Sequence, residues 1–557
     1  EIREIKRIQT SRVGGNASGS ASGPKLKGLF VTIESETDYE VGQDNVNIMG
    51  LDIHNPVFFI SGGVIVLFVF FAAVFQAPMS DFFGWLRPTV TDTFDWFLAS
   101  AANIFVLFCL VLIFSPFGSI RLGGKDAVPD FSYTGWFAML FAAGMGIGLM
   151  FYGVSEPVSH FSASFAADAG TADSWAPLSG AAGDAEAARR LGMAATIFHW
   201  GLHPWAIYAV VGLALAFFAY NRGLPLTIRS AFYPLLGERV WGWPGHLIDV
   251  LAVFATLFGL ATSLGIGAEQ ANAGLNHLFG LPVSETSKIM LIIGITGIAL
   301  FSVVAGLDAG VKRLSEINMA LAALLLLFVI LVGPTLAILT GFFEYLGAYV
   351  ANLPALANPF GRTDQHFFDG WTAFYWAWWI SWSPFVGMFI ARVSRGRTVR
   401  EFLICVLLIP SLVCVLWMTA FGSAALDQII EQGSNAVAEA SLELQLFVML
   451  EAMPLASISS FIGIVLVVVF FVTSSDSGSL VIDTITAGGK VDAPVPQRVF
   501  WAIFEGLVAV VLLLAGGLSA LQAAAITTGI PFALVLLGMC AAIWKGLASE
   551  RARLQAA

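Results

Sequence analysis

A run of tryptophans at Phe374–Phe385 is the part of the sequence whose residue types suggest the most definite chemistry. It reads FYWAWWISWSPF, and Trp378, Trp379 and Trp382 are three and four positions apart, so on a helix their indole rings share one face. The negative π face of indole attracts a cation that has no hydrogen-bond donors, such as a quaternary ammonium group. An aromatic belt at the membrane surface is the alternative, although belts do not stack rings on one face beside a helix breaker such as Pro384.

A second aromatic set lies in the segment Phe198–Tyr208, which reads FHWGLHPWAIY. Trp200, Trp205 and Tyr208 fall on one arc of a helix that is distorted at Pro204. Together with the first set, these rings could form the walls of a box around an onium group.

Ionisable side chains within apolar segments are further candidates, because such groups are functional by default in a membrane. His199 and His203 have the i, i+4 spacing of a metal-binding pair, but no third ligand is evident nearby, and structural hydrogen bonds are the alternative role. Glu269 and Glu505 also qualify by position. For each, a carboxylate that faces water or a partner side chain is the alternative. The sequence shows no nucleophile motif, phosphate-binding glycine loop or metalloprotease helix, which argues against an enzyme.

Two apolar segments are predicted to be interrupted helices. In the first, Gly144, Gly146 and Gly148 occupy alternate positions, which weakens a helix and lets the backbone approach a ligand; close helix packing is the alternative, but its glycines are spaced by four. In the second, Pro384 removes a backbone donor from the Trp-rich segment, and the hydroxyls of Ser381 and Ser383 can replace lost hydrogen bonds. Paired interrupted helices in two halves of a membrane protein indicate a transporter site.

A cluster of hydroxyls ends another apolar segment, in the sequence FFVTSSDSGS at Phe470–Ser479. Burying hydroxyls is unfavourable unless they bind something. With carbonyls freed by an unwound helix, Thr473 and Ser474 could give an all-oxygen site for Na⁺. Hydrogen bonds from these hydroxyls to their own helix are the alternative.

The composition is that of a membrane protein. Of the 557 residues, 57% are hydrophobic and only 12% are charged, whereas soluble globular proteins have about 25% charged residues. The net charge of −11 gives no support for a nucleic-acid partner, and the four cysteines lie within apolar runs, as small core residues do. Twelve apolar segments are long enough to cross a bilayer, at approximately residues 56–76, 95–116, 135–155, 193–220, 245–275, 287–307, 315–341, 372–392, 400–424, 457–480, 497–516 and 520–544.

The distribution of charge predicts the orientation. Most of the 27 Lys and Arg residues fall in loops on the side of the N-terminus, which by the positive-inside rule places both termini in the cytoplasm, in a bacterial inner membrane. The predicted organisation is a mobile basic tail (1–55), two peripheral helices (56–134), a first set of five spans (135–341), an external connector (342–371), a second set of five spans (372–544) and a short tail (545–557). Because each set has an odd number of spans, the second set is inverted relative to the first.

Taken together, these motifs resemble those of the betaine/choline/carnitine transporter family over roughly residues 50–545. The stretches that carry the resemblance are the Gly144–Gly148 motif, Met150–Gly153, Glu156-Pro157, the Trp200/Trp205/Tyr208 pattern, Trp376–Pro384 and the Arg395–Arg397 loop. The resemblance implies an all-α membrane protein with twelve transmembrane helices, in which a five-plus-five inverted-repeat core like that of the amino-acid/sodium symporters follows two additional helices. It also implies a homotrimer.

The resemblance further implies roles for individual residues. Residues that line the substrate path would be Trp200, Trp205, Tyr208, Trp378, Trp379, Trp382, Gly144, Met145, Gly146 and Gly148. Residues that match a site for a coupling Na⁺ are Ala142, Met145, Phe470, Thr473 and Ser474. A second Na⁺ site matches Thr256 and Phe385, but Leu260 replaces its other threonine, so that Thr262 or Ser263 would have to compensate. Choline-carrying relatives tend to have aspartate where this chain has Gly148, which favours a substrate that brings its own carboxylate.

The sequence therefore predicts a secondary active symporter, not an enzyme. It would import a quaternary-ammonium or sulfonium zwitterion, such as glycine betaine or dimethylsulfoniopropionate, together with Na⁺ and by alternating access, as in osmotic protection. A proton-coupled choline or carnitine transporter is the alternative within this class, with Glu269 as its best supporting residue. An ion channel with an aromatic vestibule is the alternative from another class.

Overall fold

The computed structural model describes residues 37–144, 146–166, 173–178, 180–305 and 308–556, and most of these are α-helical. The longer helices are α1 (Asn55–Val74), α2 (Gln76–Phe114), α3 (Tyr133–Gly144), α4 (Ile147–Ala166), α5 (Ala185–Trp200), α6 (Leu202–Arg222), α7 (Trp243–Phe279), α8 (Glu285–Ala305), α9 (Asp308–Val332), α10 (Thr335–Leu356), α11 (Phe374–Val393), α12 (Val399–Ile430), α13 (Gln445–Glu451), α14 (Ala456–Thr486), α15 (Val495–Leu514) and α16 (Gly517–Ala556). Short α-helices lie at Tyr233–Leu236, Gln365–Phe367 and Ala436–Glu439, 3₁₀ turns at Pro116–Ser119, Ile228–Phe232 and Gly237–Trp241, and a π-helical turn at Phe368–Ala373.

These helices form an all-α, multi-span membrane protein, as the sequence predicts. Eleven helical stretches of the described chain are long and apolar enough to cross a bilayer, and the bent pair α3–α4 would add a twelfth. α10 is one of these eleven stretches, but α11 is not, although the sequence predicts a span at 372–392. The Trp, Tyr and Ser residues of α11 lower its mean hydropathy. The 20 residues of α11 are still enough to cross, at about 1.5 Å per residue. The span predicted at 315–341 already ends at Val332, and the predicted connector at 342–371 is partly helical.

The helices divide into an inner and an outer group. In the stretch formed by α5 and α6, 89% of the 18 consecutive residues that are most apolar are buried, compared with 33% in α1 and 28% in α8. A helix that is apolar all round and little buried in the protein presents its side chains to lipid. The inner group, which includes α5, α6, α7 and α11, therefore holds the polar and aromatic residues that matter for function, while the inverted-repeat relation between 135–341 and 372–544 stays a prediction.

The two predicted helix interruptions have different outcomes. The glycine-rich span is broken as predicted: α3 ends at Gly144, α4 begins at Ile147, and the two axes are bent by 64°. The interruption predicted at Pro384 is wrong, because α11 is continuous through it. Ser383 Oγ donates a hydrogen bond of 2.6 Å to the carbonyl of Ile380, which is the acceptor that a backbone N–H at position 384 would have used. The irregular part of this span is instead the π-helical turn at Phe368–Ala373.

The described end of the predicted N-terminal tail is ordered. Residues 1–36 of that tail lie outside the described residues, but strands β1 (Asn45–Ile48) and β2 (Leu51–His54) form an antiparallel hairpin. The Asn45 amide donates to the carbonyl of Ala487 at 2.9 Å in the α14–α15 loop, and Asp52 forms an ion pair with Lys490 in the same loop. The prediction of a mobile tail up to residue 55 is therefore wrong for the hairpin, whose strands and loop contacts hold it in place.

Candidate functional site

A cavity of about 270 Å³ lies inside the helix bundle at the break between α3 and α4. None of the described residues that line it is charged. The lining residues are Ala142 and Ala143 of α3; Gly146; Ile147, Gly148 and Leu149 of α4; Trp200, Pro204, Trp205 and Tyr208 of α5–α6; Ser263 of α7; Ser315, Asn318 and Met319 of α9; Trp378, Trp379, Trp382, Phe385, Val386 and Phe389 of α11; Cys414 of α12; and Phe470, Thr473, Ser474 and Ser477 of α14.

The six aromatic residues predicted for the substrate path all line this cavity, and most of their rings are in mutual contact. Trp378 and Trp379 stack with centroids 5.0 Å apart, and Trp200 meets Trp379 edge-on at 4.9 Å. Tyr208 contacts Trp379 at 6.0 Å and Trp205 at 5.4 Å, both nearly perpendicular. Rings that stand at right angles to one another can surround a cation on several sides. The six residues lie around one cavity, and their role as an onium box stays a prediction.

The sixth ring, that of Trp382, extends the aromatic wall from the same helix. It meets the ring of Phe385 edge-on at 5.3 Å, and both line the cavity. The remaining tryptophan of the run, Trp376, does not line the cavity; it stacks on the imidazole of His203 at 5.1 Å. The helical spacing thus separates the tryptophans that face the cavity from the one that packs away from it.

The indole N–H groups of the three tryptophans that α11 presents to the cavity are bound by protein acceptors. Trp378 donates to Ser263 Oγ at 3.2 Å, and Trp379 donates to the carbonyl of His199 at 2.9 Å. Trp382 donates to the carbonyl of Gly259 at 2.9 Å. A quaternary ammonium group neither accepts nor donates hydrogen bonds, so a cage whose donors are already satisfied leaves π surface for it.

The carboxylate of Glu156 holds the fourth indole, that of Trp200, and sequence reasoning missed it. Glu156 Oε2 accepts from Trp200 Nε1 at 2.8 Å and from Tyr375 OH at 2.6 Å, and Oε1 faces His199 Nδ1 at 2.6 Å and His160 Nε2 at 3.1 Å. Each oxygen of the Glu156 carboxyl group therefore has two polar partners. The signal was present in the sequence, but the span was predicted to end at residue 155, whereas α4 continues to Ala166.

The histidine pair singled out in the sequence is separated by the fold. His203 Nε2 bonds to Asn103 Oδ1 at 2.9 Å, whereas His199 joins Glu156 and His160 in a buried group whose possible ligand atoms lie within 4.8 Å of one another. Each of these nitrogens already faces the Glu156 carboxylate at hydrogen-bond distance. Thr372 Oγ1 contacts the other ring nitrogen of His199 at 2.9 Å. Hydrogen bonds, rather than a metal ion, account for this group.

The break between α3 and α4 brings backbone polar groups to the cavity. The last four carbonyls of α3 and the first four N–H groups of α4 have no partners within their helices, and the N-terminus of α4 carries a partial positive charge. Gly146 and Gly148 line the cavity here, Gly144 is the last residue of α3, and Met145 lies outside the described residues. A Cβ added to Gly148 would lie 2.8 Å from Trp200 and 2.9 Å from Trp378, so only glycine lets the backbone approach both indoles this closely.

The residues predicted for the first Na⁺ site lie on α3 and α14, with the exception of Met145. Ala142, Phe470, Thr473 and Ser474 all line the cavity. The hydroxyl of Thr473 donates to the carbonyls of Val469 at 3.0 Å and Phe470 at 3.2 Å, which is the back-bonding geometry of the alternative interpretation. Its oxygen keeps two lone pairs in that geometry, so it can still act as a ligand, and the Na⁺ site stays a prediction.

Of the two residues predicted for the second Na⁺ site, only Phe385 lines the cavity, and the site itself stays a prediction. Thr256 donates to the carbonyl of Ala252 at 2.7 Å and does not line the cavity, unlike Phe385. Leu260 packs its methyl groups against Gly478 of α14. Of the two residues that could compensate, Thr262 bonds to the carbonyls of Phe258 and Leu521, and only Ser263 lines the cavity.

The two intramembrane carboxylates predicted from the sequence have contrasting surroundings. Glu269 forms an ion pair of 2.6 Å with Lys288. The pair lies in a separate polar cavity of about 260 Å³, which is also lined by the start of α16. Glu505 is completely buried between helices and lines neither cavity. Neither carboxylate lies at the aromatic box.

Comparison with known proteins gives consistent matches over nearly the whole chain. The model of the betaine/carnitine/choline family of transporters matches residues 56–552. A glycine betaine/proline/choline transporter of Vibrio parahaemolyticus is 64% identical over 522 residues, which cover 92% of this chain and 94% of the relative. Glycine betaine transporter 1 of the same organism is 56% identical (94% of this chain, 99% of the relative), and the glycine betaine transporter OpuD of Bacillus subtilis is 45% identical (84% and 89%).

Proposed function

This chain belongs to the betaine/carnitine/choline family of transporters, and we propose that it is a Na⁺-coupled symporter that imports a quaternary-ammonium or sulfonium zwitterion. Glycine betaine and dimethylsulfoniopropionate are the substrates of this type that we consider. The observation that carries the proposal is the aromatic cavity beside the N-terminus of α4, where aromatic side chains adjoin backbone N–H groups that have no acceptor within their own helix.

The two ends of such a zwitterion match the two parts of the cavity. The methylated cation would occupy the aromatic box formed by the cavity-lining Trp and Tyr residues, where each ring within about 6 Å contributes attraction. The carboxylate would face the N-terminus of α4, whose N–H groups and dipole favour an anion. Choline lacks a carboxylate, and none of the described lining residues supplies a charge to replace it.

The coupling ion would be held at the break itself. Its ligands would be carbonyls at the end of α3, such as that of Ala142, and the hydroxyls of Thr473 and Ser474. Because these ligands come from two helices, the bound cation would stabilise the contact between α3 and α14. An ion that binds one conformation more tightly shifts the population toward it. Inward movement of Na⁺ would thereby drive uptake by alternating access, with one Na⁺ site supported and the second not.

The proposal is tested by the tryptophan fluorescence of the purified protein during titration with a panel of solutes. Glycine betaine should quench the fluorescence more strongly in Na⁺ than in K⁺ at equal ionic strength, and choline should bind more weakly than betaine. Binding that favours choline, or that responds to pH but not to Na⁺, would instead support the proton-coupled choline or carnitine transporter. Glu269 is the residue that supports that alternative, and its ion pair with Lys288 makes it a weaker candidate for carrying a proton.

The assembly and location complete the proposal. We infer a homotrimer in the bacterial inner membrane with both termini in the cytoplasm, which follows from the family resemblance and from the distribution of Lys and Arg. Cross-linking in native membranes would test the trimer, and labelling of a cysteine introduced at the exposed residue Met49 from either side would test the orientation.

A further inference from the structure

The carboxyl group of Glu505 has no partner within the described protein although it lies deep in the bundle. It is on α15, its exposed fraction is 0%, and neither Oε1 nor Oε2 forms a hydrogen bond. By contrast Glu156, a buried carboxyl group of α4, has four polar partners. The two groups therefore differ in the one property that decides whether a buried carboxyl can be ionised.

The surroundings of Glu505 contain oxygen atoms but no cation. Ser475 and Asp476 of α14 are the polar groups that act on its carboxyl. From α8, Thr296 Oγ1 lies against the backbone of Gly506, 2.7 Å from where a Cβ would be. The hydroxyls of Ser475 and Thr296 are also buried without hydrogen-bond partners. Among the described residues, no Lys, Arg or His forms an ion pair with Glu505.

An ionised carboxylate in this position would be strongly unfavourable. Removing a carboxylate from water costs several kcal/mol when no partner compensates, and the nearby Asp476 would add repulsion between like charges. A metal cation would need several oxygen ligands, but α14 and α15 are continuous here, so their carbonyls are engaged in helical hydrogen bonds. A proton bound to the carboxyl group removes this charge without needing any further ligand.

We propose that Glu505 is a proton-binding site between α8, α14 and α15, and that its carboxyl group carries a proton at neutral pH. The proton lies on one carboxyl oxygen, and the Ser475 hydroxyl, which also lacks a hydrogen-bond partner, is the group available to accept it. The site is separate from the aromatic cavity, so the inference does not depend on which solute or coupling ion the protein carries.

Infrared spectroscopy of the protein in lipid bilayers tests this proposal. The difference spectrum of wild type minus Glu505→Gln at pH 7 should contain one band of a protonated carboxyl, and this band should shift when H₂O is replaced by D₂O. Glu269→Gln is the matched control, because the ion pair with Lys288 predicts that this variant loses carboxylate bands instead. A difference spectrum for Glu505→Gln that shows carboxylate bands and no protonated band would overturn the proposal.

A second variant keeps the test decisive if Glu505→Gln does not fold, as judged by size-exclusion chromatography. Ser475→Ala leaves Glu505 in place but removes the hydroxyl next to its carboxyl. The protonated band of the wild type should shift in frequency in this variant, since the strength of its hydrogen bond changes. An unshifted band would assign the proton to another group and reject the site.

Discussion

At the scale of single residues, the cavity is a set of rings held in place by hydrogen bonds that a ligand does not have to form. The N–H groups of Trp378, Trp379 and Trp382 bind protein acceptors, and Glu156 binds that of Trp200. Side chains that are fixed before binding lose little conformational entropy when a ligand arrives. We therefore expect affinity to depend on the shape and orientation of the rings more than on any single polar contact.

Replacement of Trp382 tests the cation–π contact. Trp382→Leu should weaken binding of glycine betaine by at least about 1 kcal/mol, or about fivefold in Kd, because an aromatic face in a desolvated site is lost. Trp382→Phe is the matched control: both variants lose the hydrogen bond to the Gly259 carbonyl, but only Phe keeps an aromatic face. Equal Kd values for the two variants in fluorescence titrations would remove Trp382 from the cage.

The contact of Gly148 with two indoles gives a prediction about size. Gly148→Ala should weaken betaine binding by about tenfold, since a Cβ less than 3 Å from Trp200 and Trp378 requires both rings to move, and overpacking costs about 1–3 kcal/mol. Gly297→Ala is the control, because a Cβ at that exposed position of α8 meets nothing within 4 Å. If titration calorimetry finds wild-type affinity in Gly148→Ala, the close approach of α4 to the rings is not needed for binding.

At the scale of secondary-structure elements, the site depends on one broken and one unbroken helix. The break between α3 and α4 frees carbonyl and N–H groups, while α14 presents hydroxyls from a continuous helix. A broken helix next to an intact one lets a cation bind between them without leaving either helix with unsatisfied groups in lipid.

Thr473→Ala tests this arrangement. The Na⁺ concentration for half-maximal uptake should rise by about tenfold, because an oxygen that contacts a charged group contributes about 1.5–3 kcal/mol. Thr256→Ala carries the same chemical change at a hydroxyl that does not line the cavity and should leave the Na⁺ dependence as in wild type. If the two variants respond alike, the assignment of the ion to Thr473 fails.

The N-terminal hairpin has its own pH dependence. His54 Nε2 accepts from Arg229 Nη1 at 2.9 Å and lies 3.3 Å from the imidazole of His246. Burial, the Arg229 charge and His246 lower the pKa of His54 from 6.5 to about 3. Because the folded-state pKa is below the unfolded value, this docking is fully stable above about pH 6.5 and becomes weaker as the pH falls toward 3.

A spin label at the hairpin turn would measure this effect. The side chain of Met49 is 98% exposed, so a label on Met49→Cys should report hairpin mobility without disturbing the contacts at His54. Mobility should increase between pH 7 and pH 5, and a His54→Phe background should abolish the pH response. A label that is equally mobile at both pH values would show that His54 does not control docking.

At the scale of the whole molecule, the hairpin connects loops from the two predicted halves. Thr37, just before it, donates to Glu238 in the α6–α7 loop at 3.0 Å, and Asn45 donates to the Ala487 carbonyl in the α14–α15 loop at 2.9 Å. Alternating access requires elements of one half to move against the other. We therefore expect the hairpin contacts to change during transport, although the hairpin lies far along the chain from the aromatic residues.

The sequence predicts the fold class and the aromatic set well because both follow from local patterns. Apolar length defines the spans, and helical spacing brings Trp378, Trp379 and Trp382 to one face. The network around Glu156 could not be predicted, because it joins residues more than 200 positions apart, as in the contact with Tyr375. The continuity of α11 at Pro384 was also missed, since it depends on whether one hydroxyl, that of Ser383, reaches the freed carbonyl.

The most direct test of the central claim is uptake of labelled glycine betaine into proteoliposomes that contain the purified protein. We predict saturable accumulation driven by an inward Na⁺ gradient, counterflow with unlabelled betaine, and loss of high-affinity uptake in Trp382→Leu. Uptake that does not saturate, or that is the same with and without Na⁺ and with and without the Trp382 indole, would contradict a Na⁺-coupled symporter with an aromatic cage.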